Sequence, residues 1–272
     1  MNKIEAIVID LDGTLLNNNQ TVGKKDYKCL KLLEQKKVIR IIATGRSLYS
    51  FNKIIKPDFP IDYLIFSAGA GIMDFNSKKI ITSFHIEKND VKIIAEKLNE
   101  LKIDFQVRNK VPQGHIYKYK QYSDKNADFE RINEIYKEFI EELINFDSFE
   151  DASRFLCISD NEKIIDEVYQ NFPDFGIVRA TSSIDNKTIW MEIFTKNVNK
   201  GSSLSYLSKQ LNFSLNNTLG IGNDYNDIDF LNLIGLSYMV ENAPDNLKNL
   251  YLKTVSCENN PLSEVLRNYF SC

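Results

Sequence analysis

One short apolar run that ends in two acids sets the terms for this chain. Residues 7–9 read Ile-Val-Ile, and the segment continues Asp10-Leu11-Asp12-Gly13-Thr14-Leu15-Leu16. A brief, β-branched, unbroken apolar run is a strand buried on both faces, the situation of a parallel sheet with helices on either side. Side chains two positions apart in an extended segment point the same way, so Asp10 and Asp12 can present two carboxylates just beyond the strand's carboxyl edge. Gly13 then lets the backbone turn. Like charges held that close repel and lose water, which implies a compensating cation or a shared proton. The plainer alternative is that one acid caps the next segment and the other is solvated.

The pattern that follows is strand, helix, strand. Residues 24–37 carry Tyr27, Leu30, Leu32 and Leu33 among lysines as a helical stripe, and 38–43 is again a β-branched strand. That second strand ends in Thr44-Gly45-Arg46, with a helix start at Ser47-Leu48-Tyr49. Function in open α/β sheets gathers at the carboxyl ends of strands, which places Thr44 on the same edge as Asp10 and Asp12. A hydroxyl and a flexible glycine amide can hold phosphate oxygens there, or simply cap the helix. A third strand over 63–67 leads into Ala68-Gly69-Ala70-Gly71, whose G-x-G lacks the third glycine of a dinucleotide fingerprint.

From 82 to 190 a second α/β pattern takes over: helices over 89–101, 127–146 and 161–172, and strands over 104–108, 115–120, 155–159, 176–180 and 189–194. The helix over 127–146 rests on Phe129, Ile132, Ile135, Tyr136, Phe139 and Leu143 at helical spacing. The chain then returns to the first pattern. Lys200 falls in the first turn of a helix, where the positive helix end disfavours it unless an anion is near. A buried strand over 218–222 ends in Asn223-Asp224-Tyr225-Asn226-Asp227, an oxygen-rich cluster suited to a hard cation.

These segments resemble the haloacid dehalogenase-like (HAD) phosphohydrolases, in the Cof-type sugar-phosphatase branch. Strand plus D-L-D-G-T-L is the family's first motif, A-T-G-R at 43–46 its second, N-K-G-x-x-L at 199–204 its third, and the 222–227 cluster its fourth. Leu236 to Val240 with Asn242-Ala243 resembles the branch's late strand and loop. The chain departs from the family at Ala68, where the branch carries asparagine, and at Asn223, where a metal-binding aspartate is usual. The resemblance implies a Rossmann-like, doubly wound parallel sheet over 1–81 and 191–272, with an inserted α/β cap over 82–190 that selects substrate and closes over the site. It implies Mg2+ held by Asp10, Asp12, Asn223 or Asp224, and Asp227. Asp10 is then the nucleophile and Asp12 the acid and base, while Thr44 and Lys200 hold the transferring group. Phosphate is bound by Asp10, Leu11, Thr44, Gly45, Arg46, Lys200 and Asn226. Arg108, His115, Lys118, Lys120 and Arg179 are the specificity candidates in the cap.

Composition bounds the rest. With 34 basic and 37 acidic residues the net charge is −3 and neither sign forms a block, which argues against nucleic acid or a membrane surface as partner. The cysteines at 29, 157, 257 and 272 lack C-x-x-C spacing, and no run is long enough to span a bilayer. The expectation is a cytoplasmic phosphatase of a small phosphorylated metabolite, a monomer or weak homo-oligomer. A phosphotransferase or mutase using the same aspartyl-phosphate, or a non-catalytic phosphoacceptor, is the alternative.

Overall fold

The structure, a computed structural model, describes residues 3–270 except 148, 183, 184 and 186. The chain divides into two compact units, residues 1–46, 51–82 and 200–272 in the first, and 47–50 with 83–199 in the second.

The elements, in chain order, are β1 (Ala6–Asp10), α1 (Lys24–Gln35), β2 (Ile39–Ala43), α2 (Leu48–Asn52), β3 (Tyr63–Phe66), β4 (Gly71–Asp74) and β5 (Lys79–Ser83). The second unit contributes α3 (Lys88–Leu101), β6 (Phe105–Asn109), β7 (Tyr117–Lys120), α4 (Ala127–Ile135), β8 (Ile140–Glu142), β9 (Ala152–Ser159), α5 (Lys163–Asn171), β10 (Gly176–Thr181) and β11 (Ile189–Phe194). The chain closes with α6 (Lys200–Leu211), β12 (Thr218–Gly222), α7 (Ile228–Leu231), β13 (Leu236–Val240), α8 (Asp245–Lys248), β14 (Leu252–Thr254) and α9 (Pro261–Leu266).

In the first unit one eight-stranded sheet runs β14-β13-β12-β1-β2-β3-β4-β5. Pairings from β14 through β3 are parallel, and β4 turns back antiparallel to β3. All residues of β1 and of β12 are buried, as their apolar runs require. Helix α1 packs on α9, and α6 on α7. Successive connections travel in opposite directions from β1 and β12, which lie side by side. Their carboxyl ends therefore frame the crevice where open α/β sheets bind ligands. Ile7, Val8 and Ile9 are 1% exposed or less. At roughly 1.5–3 kcal/mol each, their burial outweighs the cost of ending the strand in a buried acid.

The second unit is a six-stranded sheet of order β10-β11-β9-β6-β7-β8, antiparallel except for β7 with β8. Alternation along β9 sorts its two faces. Phe155 and Cys157 join a core with Ile94, Leu98, Ile164 and Val168 from α3 and α5 and with Phe172 just past α5, while Leu156 and Ile158 pack with Phe129 and Ile132 of α4.

Two sequence expectations are corrected here. The helix over 127–146 ends at Ile135, and the chain passes through a 3-10 turn into β8, which pairs with β7. Its stripe breaks at Ile135, which is 56% exposed, while Leu143 is buried in the opposite core. The open edge of β7 supplies hydrogen bonds and a Lys120–Glu142 ion pair at 3.1 Å, and this pairing overrides local helical periodicity. The boundary expected between 190 and 191 would cut β11, which pairs along its length with β10; the division falls at 199–200 instead. Cys29, Cys157 and Cys257 are buried thiols outside any disulfide, and Cys272 lies outside the described residues. Among the described residues no helix is long and apolar enough to cross a membrane.

Candidate active site

Three distant segments meet at the carboxyl edge of β1 and β12. Asp10, last residue of β1, is 4% exposed, and Lys200, first residue of α6, is 1% exposed. The Lys200 ammonium donates to Asp10 Oδ1 at 2.6 Å, to Asp227 Oδ1 at 2.7 Å and to Asn226 Oδ1 at 3.2 Å. One cation thus faces two buried carboxylates. Burial and then Asp227 push the Asp10 carboxyl up, against the pull of Lys200. Burial works against the Lys200 ammonium too, yet Asp10 and then Asp227 outweigh it and raise its pKa. A simple ion pair would raise the lysine and lower the aspartate; only the lysine follows that rule, because burial and the second carboxylate act on Asp10, and one charged lysine cannot neutralise both acids. Asp10 Oδ2 is buried and accepts no hydrogen bond from the described residues.

Asp227 is fully committed. Besides Lys200, its Oδ2 accepts from the backbone N–H groups of Asn223 at 2.8 Å and Asp224 at 3.1 Å. Asp224 completes a capping box by accepting from the Asp227 backbone N–H. The loop fits this tightly only because position 222 is glycine; a Cβ there would lie 2.6 Å from the Asp227 Cβ. The side chain of Asn223 instead lies against the first loop. A Cβ on Gly13, whose φ is +71°, would lie 2.6 Å from Asn223 Nδ2. Asn242 Nδ2 donates to the Gly13 carbonyl at 2.8 Å, and its Oδ1 accepts from the Cys257 N–H at 2.9 Å, pinning the same turn.

Asp12 is held by Arg46. Arg46 Nε donates to Asp12 Oδ2 at 2.8 Å and Nη2 to Oδ1 at 2.5 Å, a two-pronged grip, while Nη2 also reaches Gln20 Oε1. Thr44 is fully buried, and its Oγ1 accepts from the Arg46 backbone N–H at 3.1 Å. Gly45 lies near Asn226, with its would-be Cβ 4.0 Å from Asn226 Nδ2. Leu11 is buried, and its carbonyl accepts from the Leu16 N–H at 2.8 Å.

The sequence-derived residues of the first unit therefore separate by what they touch. Asp10, Lys200, Asn226 and Asp227 form one hydrogen-bonded cluster, Asp12 and Arg46 a second, and Thr44 and Gly45 connect them through the backbone. Arg46, a phosphate-holding candidate by sequence, is engaged with Asp12. Asn242 and Gln20 have structural roles that motif spacing alone does not assign, although Asn242 stands in a recognisable loop. Of the cap candidates, Arg108 is buried on β6, Lys118, Lys120 and Arg179 lie on β7 and β10, and His115 precedes β7, stacked on Tyr49 at 4.4 Å.

A family model described as haloacid dehalogenase-like hydrolase matches residues 7–264. The chain is 24% identical over 251 residues to 5-amino-6-(5-phospho-D-ribitylamino)uracil phosphatase YcsE of Bacillus subtilis, covering 90% of this chain and 87% of that one. It is 22% identical over 273 residues to phosphatase YwpJ of the same organism, covering 91% and 93%. Among solved structures, a sugar phosphatase of HAD subclass IIB superposes with a TM-score of 0.78 at 18% identity, covering 97% of this chain and 98% of that one. A haloacid dehalogenase-like hydrolase from B. subtilis gives 0.78 at 20% identity, covering 98% and 100%. At those identities the structural likeness speaks for the fold.

Proposed function

The chain belongs to the haloacid dehalogenase-like hydrolases and is a phosphatase of that family, and from that premise we propose that it hydrolyses a small phosphorylated metabolite through an aspartyl-phosphate on Asp10, with Mg2+. What supports this reading above all is the state of Asp10: Lys200 fixes one carboxylate oxygen, and the other is buried without a partner among the described residues. An oxygen in that condition is costly unless a cation or an electrophile meets it.

Charge balance argues for the metal. With both acids ionised, Asp10, Asp227 and Lys200 carry a net −1, and Asp12 with Arg46 carries none. A phosphate brought to about 4 Å of that negative charge meets repulsion of about 4 kcal/mol per charge at an effective dielectric of 20. The donors are hard oxygens, as magnesium requires. Among the described residues no three His, Cys, Asp or Glu side chains gather as a metal group, so the donors would be Asp10, the amide of Asn223 and the backbone carbonyl of Asp12. Asp227 and Asp224 are spent on Lys200 and on backbone N–H groups, and would position rather than ligate. When bound, the ion supplies Lewis-acid charge neutralisation for the attack.

The chain's own residues would do the rest. A carboxylate oxygen of Asp10 attacks phosphorus as the bond to the leaving oxygen breaks. Asp12, having first taken a proton from solvent, gives it to that oxygen and then takes one from the water that cleaves the aspartyl-phosphate, releasing inorganic phosphate and restoring Asp10. To do so Asp12 gives up one of its Arg46 hydrogen bonds, so Arg46 sets where the proton donor rests. Lys200 and Thr44 hold oxygens of the transferring group. The second unit would select the leaving group.

Asp10→Asn tests the assignment. The variant should fold, because it removes a costly buried charge, and should lose magnesium-dependent hydrolysis of an aryl phosphate. Turnover retained by a folded Asp10→Asn protein rejects Asp10 as nucleophile.

A further inference from the structure

Gly13, the residue after Asp12, is where the loops that follow β1, β12 and β13 converge. Its missing side chain makes the convergence possible: a Cβ there would lie 2.6 Å from Asn223 Nδ2 and 3.6 Å from Asn242 Nδ2, and its φ of +71° favours glycine. Asn242, just past β13, reaches across the end of β12 and donates to the Gly13 carbonyl at 2.8 Å. The other end of the amide is held as well, since Oδ1 accepts from the Cys257 N–H at 2.9 Å. One exposed side chain thus ties the turn that follows Asp12 to the segment that precedes α9.

That segment also grips the chain downstream of the turn. Glu258 Oε1 accepts from the Asn18 N–H at 2.7 Å, and Asn260 Oδ1 from the Lys25 N–H at 3.2 Å. On the near side, the Leu16 N–H closes the loop on the Leu11 carbonyl at 2.8 Å. Water competes for polar groups this exposed, so each of these bonds adds only about 1 kcal/mol to stability. Their larger contribution is to fix where the backbone leaving Asp12 lies.

Position matters at Asp12 because its carboxylate has to move. At rest Arg46 holds both of its oxygens, at 2.8 and 2.5 Å, and delivery of a proton to a leaving oxygen requires one of those bonds to open. Once it opens, the backbone keeps the donor aimed, and the bond from Asn242 anchors the very next residue. Misplacing a reacting group by about 1 Å can cost about a hundredfold in rate.

We propose that Asn242 is a positioning residue for proton transfer by Asp12: its bond to the Gly13 carbonyl holds the backbone from which Asp12 protonates the leaving oxygen. This rests on the proton-transfer role given to Asp12 above.

Three aryl phosphates of similar size test it at saturating magnesium: p-nitrophenyl, phenyl and p-methoxyphenyl phosphate. The p-nitrophenolate leaves without a proton, whereas the p-methoxyphenolate needs one. Because kcat/KM covers only the steps through departure of the phenol, it separates the acid role of Asp12 from its later role as base. Asn242→Ala removes both hydrogen bonds, and Asn242→Asp keeps the acceptor for Cys257 while losing the donor to Gly13. Each variant should lose about tenfold in kcat/KM on p-methoxyphenyl phosphate and less than about threefold on p-nitrophenyl phosphate. Asp12→Asn should steepen the series further. Damage to folding, to the metal site or to Lys200 lowers all three esters by one factor and leaves the slope of the series as in wild type. A wild-type slope in either Asn242 variant, beside a steep series for Asp12→Asn, overturns the role of Asn242 alone. A wild-type slope for Asp12→Asn overturns the acid role of Asp12, and the role of Asn242 with it.

Discussion

Position 223 carries a neutral amide where a metal-binding carboxylate is usual in the family, and the next residue is an acid. Spacing cannot say which of the two serves a cation, because a shift of one residue in a loop leaves no periodic trace. The geometry separates them: the Asn223 side chain lies against Gly13, while Asp224 caps the turn that presents Asp227. Affinity for a hard cation rises with the negative charge of its ligands, so Asn223→Asp should lower the Mg2+ concentration for half-maximal activity by about tenfold. Asp224→Ala should leave that concentration in place and cost about 1 kcal/mol of stability through the lost cap. The reverse pattern in magnesium titrations would transfer the role to Asp224. Asp10, Thr44, Lys200 and Asp227 are legible in the sequence because each follows an unmistakable buried strand or opens a helix. The grip of Arg46 on Asp12 is not. It joins residues 34 apart through the path of two loops, which no local pattern encodes.

Helices α1 and α9 meet through a buried acid. Asp26, 1% exposed in α1, accepts from the Ser263 N–H in α9 at 2.8 Å. Burial pushes its carboxyl up to about 7, against the pull of the Ser263 and Leu262 amides. Because the folded pKa exceeds the unfolded value near 3.8, the folded state retains a proton that the unfolded chain releases. Stability from this group is therefore full below about pH 4, falls by up to about 1.4 kcal/mol per pH unit toward pH 7, and then levels. Asp26→Asn keeps an acceptor oxygen and cannot ionise. Its stability advantage over wild type should grow between pH 4 and pH 7 in urea titrations, and a difference constant with pH would show that Asp26 does not carry the effect. At this scale the sequence reads correctly wherever an element is buried on its own account. The runs of β1, β2 and β12 have no other use. It misleads over 127–146, where Phe129 and Ile132 do face a core but the following Ile140-Glu141-Glu142 is claimed by the edge of β7. A strand that exists because a neighbour needs a partner leaves little signal of its own.

Each of the two units has its own sheet and its own buried core, and the chain passes between them near residues 46–47, 50–51, 82–83 and 199–200. That organisation fixes what a ligand confined to one unit can stabilise. The proposed magnesium donors all belong to the first unit, at the ends of β1 and β12. The single tryptophan, Trp190, belongs to the second; it is partly buried on β11, and its indole N–H donates to Asp128 Oδ2 at 2.6 Å. Tryptophan fluorescence therefore reports the second unit, whereas far-UV circular dichroism reports both. A ligand at a hundred times its dissociation constant stabilises the body that binds it by about 2.7 kcal/mol and leaves an independent body untouched. Magnesium should accordingly split a urea titration, moving part of the dichroism change to higher denaturant while the Trp190 transition stays where it was. A Trp190 midpoint that rises in step with the dichroism midpoint would mean that the two units unfold as one cooperative body, with the sheet of the second unit energetically tied to the state of Asp10.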